Sequence, residues 1–330
     1  MAEIKKPKYS EKFRELGLVF FILLVSILVQ FRNHEFLTLP NINNILTNTA
    51  ILSILSVGMM MVLLTGGIDL SIGATMAFTG MVCALTGRVH TTISPVLLIL
   101  EGVVIGAVIG LVIGVLIARF SILPIIATLG LMNVIRGGTF LVSGGQWVSA
   151  YQMSAGFKAL ATGKILGINN LIVIAIVTYI VYYYFINFTR TGRRIYAVGS
   201  NPEAAEITGL PKRRLTALVY ILMGALSGLA GVLWVAKFAS AQGDTASGYE
   251  MNVIAACVLG GVSVSGGRGK VFGLVLGVIL FGILANALPL INVSPFWQQA
   301  IQGFVILAAI ITNVLIKRNN DRTTLRRRVI

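Results

Sequence analysis

Three features of the sequence predict an all-α integral membrane protein of about ten transmembrane helices. Hydrophobic residues make up 56% of the 330 and charged residues only 11%, and mean hydropathy is +0.90. Soluble domains carry about 25% charged residues, so the bilayer must solvate most of this chain. Apolar runs of bilayer-crossing length recur from the N-terminus to the C-terminus. The basic residues cluster between these runs in a pattern that tracks membrane sidedness.

The runs fall near 16–31, 45–65, 71–87, 95–117, 123–142, 168–188, 214–235, 250–262, 271–291 and 295–316. Each approaches the ~20 residues a crossing helix needs. The eighth is short, as a half-helix would be. The first follows a basic stretch, as a signal peptide would, but the chain continues Arg32-Asn33-His34-Glu35 with no small-x-small cleavage pattern. It reads as an uncleaved first span.

Charge tests this division. With the N-terminus inside, 20 of the 26 bases fall in inside segments and 5 outside, with Arg136 within a span. The inside groups are Lys5 to Arg14, Arg119, Arg190 to Arg214, Arg268 with Lys270, and Lys317 to Arg328. Lys and Arg remain on the cytoplasmic side, so ten spans with both termini cytoplasmic are expected. The net charge of +15 is thereby accounted for without nucleic acid, because the bases are separated by apolar spans and do not interleave with stacking aromatics. Cys83 and Cys257 lie in apolar segments, which argues against a disulfide framework or a Cys-ligated metal.

Two halves of the chain echo one another at an offset of 194 residues: Gly66-Gly67-Ile68-Asp69-Leu70-Ser71-Ile72-Gly73 aligns with Gly260-Gly261-Val262-Ser263-Val264-Ser265-Gly266-Gly267. Paired glycine breaks in corresponding halves point to discontinuous helices along a transport path; two ordinary glycine turns are the bland reading. The fourth run carries Gly102, Gly106, Gly110 and Gly114 on one face. Such a face lets a neighbouring helix approach closely, and Gly224/Gly228 and Gly273/Gly277 repeat the device.

Catalytic chemistry is missing. The nearest match to a phosphate-binding loop, Gly266-Gly267-Arg268-Gly269-Lys270-Val271, has Val264 where the first glycine is needed and Val271 in place of Ser/Thr. There is no H-E-x-x-H, and His34 and His90 are the only histidines. No catalytic residue, cofactor or metal ligand is expected.

Charges at membrane depth mark a polar path or a buried pair. Here they are Asp69 in the first break, Glu101, Arg136 and Glu250. Asp69 and Arg136 form the deepest pair, either bracing one another and the broken helix or meeting cargo. Candidate path residues are Asp69, Ser71, Asn133, Arg136, Gln146, Glu250 and Asn286. The amides among them could equally join helices.

The central basic loop specifies a short helix. Asn201, Pro202 and Glu203 supply an N-cap, a first-turn proline and a first-turn acid, while Gly209 and Pro211 supply a stop. The candidate docking residues are Gly199, Asn201, Glu203, Ala204, Ala205 and Gly209. A solvated linker helix is the bland alternative.

The run GSNPEAAEITGL resembles the coupling loop, with its E-A-A core, of the membrane subunits of ABC importers. With LTGGIDLSIGA (64–74), ILPIIATLGLMNVIRGG (122–138) and GYEMNVIAACVLGGVSVSGGRGKVFG (248–273), the chain is similar to the monosaccharide permeases of the ribose, galactose, xylose and arabinose group, above all the ribose type. The similarity spans roughly 40–315. It implies the helical bundle of the vitamin B12-type importers, with pseudo-repeated halves. It also implies a single permease domain over 1–330, with a cytoplasmic N-terminus (1–15), coupling loop (189–213) and basic tail (317–330). The implied partners are a cytoplasmic ATPase, an outer sugar-binding protein and a second permease copy or paralogue. The implied place is the bacterial inner membrane. One departure is Ser263, which stands in the second break where the first has Asp69. Two other readings stay open on the sequence alone: an ion-coupled carrier working alone, and an importer permease for another small polar solute such as an amino acid or a furanose-like signal.

Overall fold

The computed structural model describes residues 8–305 together with 307, 308 and 311. Residues 1–7, most of the tenth run beyond 305 and the basic tail lie outside the described residues. Among the described residues, eight helices are long and apolar enough to cross a membrane. They are α1 (Lys8–Arg32, with the candidate span Glu15–Arg32), α2 (Leu39–Leu64), α3 (Ile72–Val89), α4 (Pro95–Ala118), α5 (Pro124–Ser143), α7 (Asn170–Phe188), α10 (Lys212–Phe238) and α12 (Val271–Leu290). Each matches one of the expected spans. The eighth run forms only α11 (Tyr249–Leu259), too short to cross at 1.5 Å per residue. The last run is helical over 295–305. The protein is thus an all-α, multi-span membrane protein. Its one described sheet is the two-residue hairpin β1 (Lys164–Ile165) and β2 (Ile168–Asn169), which follows α6 (Ala155–Thr162).

The chain packs as two compact units. The larger comprises residues 50–254 and 263–268. Its axis is α10, against which α4 and α3 lie. The glycine face of α4 meets α10 backbone to backbone at Gly106 and Gly110, while Gly102 also takes the Val232 side chain. A Cβ on Gly106 would strike the carbonyl oxygen of Gly224, one on Gly110 that of Tyr220, and one on Gly228 that of Gly102. In lipid, where apolar side chains gain nothing by leaving the solvent, such backbone approach supplies dispersion contact and holds helices together. The opposite face of α4 exposes Leu97, Leu100, Val104, Val108 and Leu111, as a lipid-facing surface does. Glu101 does not face it: the Thr86 hydroxyl of α3 donates to its Oε1 at 2.9 Å.

The other unit comprises the described residues within 1–49, 255–262 and 269–330. Here Gly273 and Gly277 of α12 pack on the backbone of Ala256 and Gly260, so this glycine pair also works as a close-packing device. Val29, Phe36, Ile45, Ile283 and Ala287 form a buried cluster. Asn41 and Asn286 exchange amide hydrogen bonds of 3.1 Å in each direction, and Asn33 donates to the Leu290 carbonyl at 3.1 Å. Lys270 and Glu15 form an ion pair of 3.3 Å.

Both glycine breaks end their helices with the same cap. After α2, Gly66 (φ +78) donates to Leu63 and Gly67 donates to Val62. After α11, Gly261 (φ +81) donates to Val258 and Val262 donates to Cys257. Each is a Schellman motif, with glycine at the left-handed position where a Cβ is costly. This pairs Gly66 with Gly261, one residue away from the register of the sequence alignment. Cap geometry, rather than residue identity, defines the correspondence.

Candidate functional site

In the larger unit the first break leads into the start of α3. Asp69 is buried, and its Oδ1 accepts from the Ser71 backbone N–H at 2.9 Å and the Ser71 hydroxyl at 2.6 Å. The Tyr220 hydroxyl of α10 donates to the Ile68 carbonyl at 3.3 Å. Tyr220 stands about 12 Å along α10 from Lys212 at 1.5 Å per residue, so the break reaches into the apolar depth of the bundle. A carboxylate at such depth needs local donors, and Ser71 provides them.

The same helix start receives a second acid. A Cβ on Gly73 would strike the carbonyl of Ala246 and would come within 2.8 Å of Glu250 Oε2. Glu250 therefore lies against the first turn of α3, where unpaired N–H groups and the helix dipole favour negative charge. Arg136 of α5 donates through Nη1 to the carbonyls of Gly243 (2.9 Å) and Thr245 (2.8 Å). Glu250 and Asp244 lie within its electrostatic reach. The segment 243–246 thus sits between the Arg136 guanidinium and the α3 N-terminus. The expected Asp69–Arg136 pair does not form, because each group is taken up by a nearer partner.

Asp69, Ser71, Arg136 and Glu250 are accordingly gathered around one helix start. Asn133 and Gln146 are exposed, and the Asn133 amide bonds its own helix at Leu129. Asn286 belongs to the other unit, where Asn41 holds it. Sequence reasoning missed the carbonyls of Gly243 and Thr245, and Gly73 and Tyr220. The signal was available for the first two: Gln242 to Gly248 is a polar, turn-forming stretch between apolar runs. Among the described residues no three His, Cys, Asp or Glu side chains converge as a metal site would require.

The basic loop forms two helices joined by one residue. The first, α8 (Arg190–Ser200), was not foreseen; it buries Gly192, Ile195, Val198 and Gly199. The second, α9 (Pro202–Ile207), is the expected short helix. Asn201 ends one and begins the other: its N–H donates to Ala197 at 3.2 Å, and its Oδ1 accepts from Ala204 N–H at 2.9 Å. Gly209 (φ +73) donates to Glu206 and Leu210 donates to Ala205, completing another Schellman stop. Burial separates the roles of the loop residues. Ala205 turns inward and packs with Val198, Leu210 and Leu215, so only Ala204 of the Ala204/Ala205 step faces outward. Glu203 and Ala204 are exposed, and Ile207 is 86% exposed. Gly199 is buried. Burial pushes the Tyr196 hydroxyl of α8 up to about 12.

Comparison with known proteins agrees with this architecture. The family model described as "Branched-chain amino acid transport system / permease component" matches residues 41–310. The chain is 40% identical to the ribose import permease protein RbsC of Bacillus subtilis (strain 168), over 90% of each chain. It is 36% identical to the ribose import permease protein RbsC of Escherichia coli (strain K12), over 90% of this chain and 92% of that one. It is 36% identical to the L-arabinose ABC transporter permease protein AraH of Azospirillum brasilense, over 93% of this chain and 89% of that one. No solved structure matches. The chain therefore belongs to the permease-component family that this model describes.

Proposed function

We propose that the chain is the membrane-spanning subunit of an ATP-driven importer that carries a monosaccharide, ribose or a related pentose, into the cytoplasm. The observation that carries the coupling half of this reading is α9. A helix of two turns, capped at both ends, holds Glu203, Ala204 and Ile207 outward beside a strongly basic stretch. An isoleucine 86% exposed on a polar loop has no lipid to meet and suits the groove of a partner. The names of the relatives supply the sugar.

In this reading a separate cytoplasmic ATPase grips α9 and performs the hydrolysis. An outer binding protein delivers the sugar, and a second permease copy or paralogue completes the path. The whole chain acts as one permease domain in the inner membrane, with both termini and α9 cytoplasmic. The Lys270–Glu15 pair supports the sidedness, since it joins the inner end of α1 to the basic turn before α12. Asp69, Ser71, Arg136 and Glu250 line the path, and movement of the segment 243–246 away from Arg136 opens it.

Co-purification and uptake test the reading. The tagged chain brings down a nucleotide-binding subunit, and the complex takes up labelled ribose only with ATP and the binding protein. Glu203→Lys reduces both the recovered subunit and uptake while the permease still inserts. Gly209→Pro does the same, since proline cannot adopt the left-handed φ. Uptake by the chain alone under an ion gradient would overturn the assignment in favour of a carrier. ATP-dependent uptake of a branched-chain amino acid, with none of ribose, would overturn the sugar.

A further inference from the structure

Gly199 is the docking-loop residue that no partner can reach, and its surroundings give it another task. It lies in the last turn of α8, two residues before the cap shared with α9. A Cβ there would strike the carbonyl oxygen of Leu64 and would come within 2.7 Å of Gly267 N. Leu64 ends α2, so its carbonyl has no partner within its own helix; the Gly267 N–H donates to it at 2.9 Å. A Cβ on Gly266 would lie 2.8 Å from the Gly199 oxygen and 3.2 Å from Gly66 N. A Cβ on Gly267 would lie 2.5 Å from Ser200 Cα, and the Ser200 hydroxyl donates to the Gly267 carbonyl at 3.3 Å. At this junction the end of α8 touches the end of α2, the first glycine break, and the turn 263–268 of the second.

We propose that Gly199 is a positioning residue through which displacement of α9 is delivered to both glycine breaks at one point. The inference rests on the reading of α9 as the ATPase-gripped helix. Two features make the junction suited to this. Asn201 caps both helices, and Val198 of α8 packs on Ala205 of α9 and on Leu215 at the start of α10, so α8 and α9 are joined both by a shared cap and by side-chain packing. The contacts beyond Gly199 are backbone against backbone, with no rotamer to absorb a shift, and close-packed interiors transmit displacement. From Gly66 the chain runs in three residues to Asp69; from Gly267 it runs in four to the start of α12. A stroke received at α9 therefore reaches the residues placed along the path without passing through the lipid-facing helices.

The test is the ratio of sugar transported to ATP hydrolysed by the reconstituted permease–ATPase complex. In the complex that assembles, Gly199→Ala is expected to lower the ratio by roughly tenfold, within the range for residues on a coupling path, because its Cβ must displace the Leu64 carbonyl. Gly130→Ala, where nothing lies within 4 Å, is expected to leave it unchanged. A role in packing alone predicts that Gly199→Ala lowers complex yield, hydrolysis and uptake together with the ratio intact, and that result overturns the proposal. Should Gly199→Ala fail to assemble, hydrogen exchange on the wild-type complex decides. Peptides over 64–67 and 263–268 change protection together with 198–209 when ATP is trapped; no change in 263–268 overturns the inference. Glu203→Lys separates the two levels. If it leaves ATPase recovery and uptake intact, the reading of α9 fails. If it impairs them while Gly199→Ala keeps a normal ratio, only the junction fails.

Discussion

Gly106 of α4 and Gly224 of α10 meet backbone to backbone, and a Cβ on either would strike the other's carbonyl oxygen. The two helices are thus held by main-chain contact at Gly106, Gly110 and Gly224. Within the larger unit this contact leaves no side-chain rotamer to absorb a change at Gly106 or Gly224.

Gly106→Val should destabilise the protein by about 3 kcal/mol or more, because the new side chain meets backbone that cannot step aside. Gly130→Ala should be near neutral or slightly stabilising. Thermal unfolding in detergent, followed by the monomer peak on size exclusion, distinguishes them. Equal melting temperatures would show that α4 and α10 do not approach as described.

Arg136 ties α5 to the 243–246 segment through two carbonyls. Arg136→Gln should free that segment. In an Ala246→Cys background, thiol labelling should be slow while Arg136 is present and several-fold faster once Arg136→Gln is added, since Ala246 is only 8% exposed. The native Cys83 and Cys257 are buried and leave little background. Unchanged labelling would remove Arg136 from any gating role.

The Asn41–Asn286 amide pair should behave as a structural clasp. A double-mutant cycle with Leu at each position should return a coupling of about 0.6 to 1.7 kcal/mol, the range for interhelical hydrogen bonds in membranes. Zero coupling would release Asn286 for a role in the path.

Asn201 caps α9, and Asn201→Ala should cost it about 1 kcal/mol. Amide exchange over 202–207 should accelerate roughly fivefold, with the transmembrane helices unaffected. Asn201→Asp should retain the cap, and protection with it.

Tyr196 gives the basic loop an alkaline limit. Its folded pKa of about 12 lies above the ordinary phenol value near 10, because burial disfavours the phenolate. The neutral form is the stabilising one, so its contribution is complete below about pH 10 and is lost as the pH rises through about 12. Tyr196→Phe should flatten the stability profile of the loop across that window. An unchanged profile would place Tyr196 in solvent.

Much of the architecture was legible in the residues. Bilayer solvation forces every span into helix, so apolar length located the eight long helices, and the shortness of the eighth run announced α11. Gly66, Gly209 and the Asn201–Pro202–Glu203 start carry their conformations in their own chemistry, and the capped α9 appeared where they placed it. The glycine face of α4 declared a close neighbour. Its partner could not be named from the pattern, because Gly224/Gly228 and Gly273/Gly277 fit equally well.

Pairing across the chain was what only the tertiary structure decided. Asp69 and Arg136 attract at long range, yet hydrogen bonds are decided within about 3 Å, and Ser71 and the 243–246 carbonyls were nearer. Ala204 and Ala205 are identical in composition, but helical rotation sends one outward and the other onto Val198 and Leu215. Gly199 read as part of a docking loop; its contact with Leu64 and Gly267 joins segments far apart in sequence. Local backbone preference and solvent class act over a few residues and are written in the chain. The meeting of α8, α2 and the second break depends on how whole helices pack.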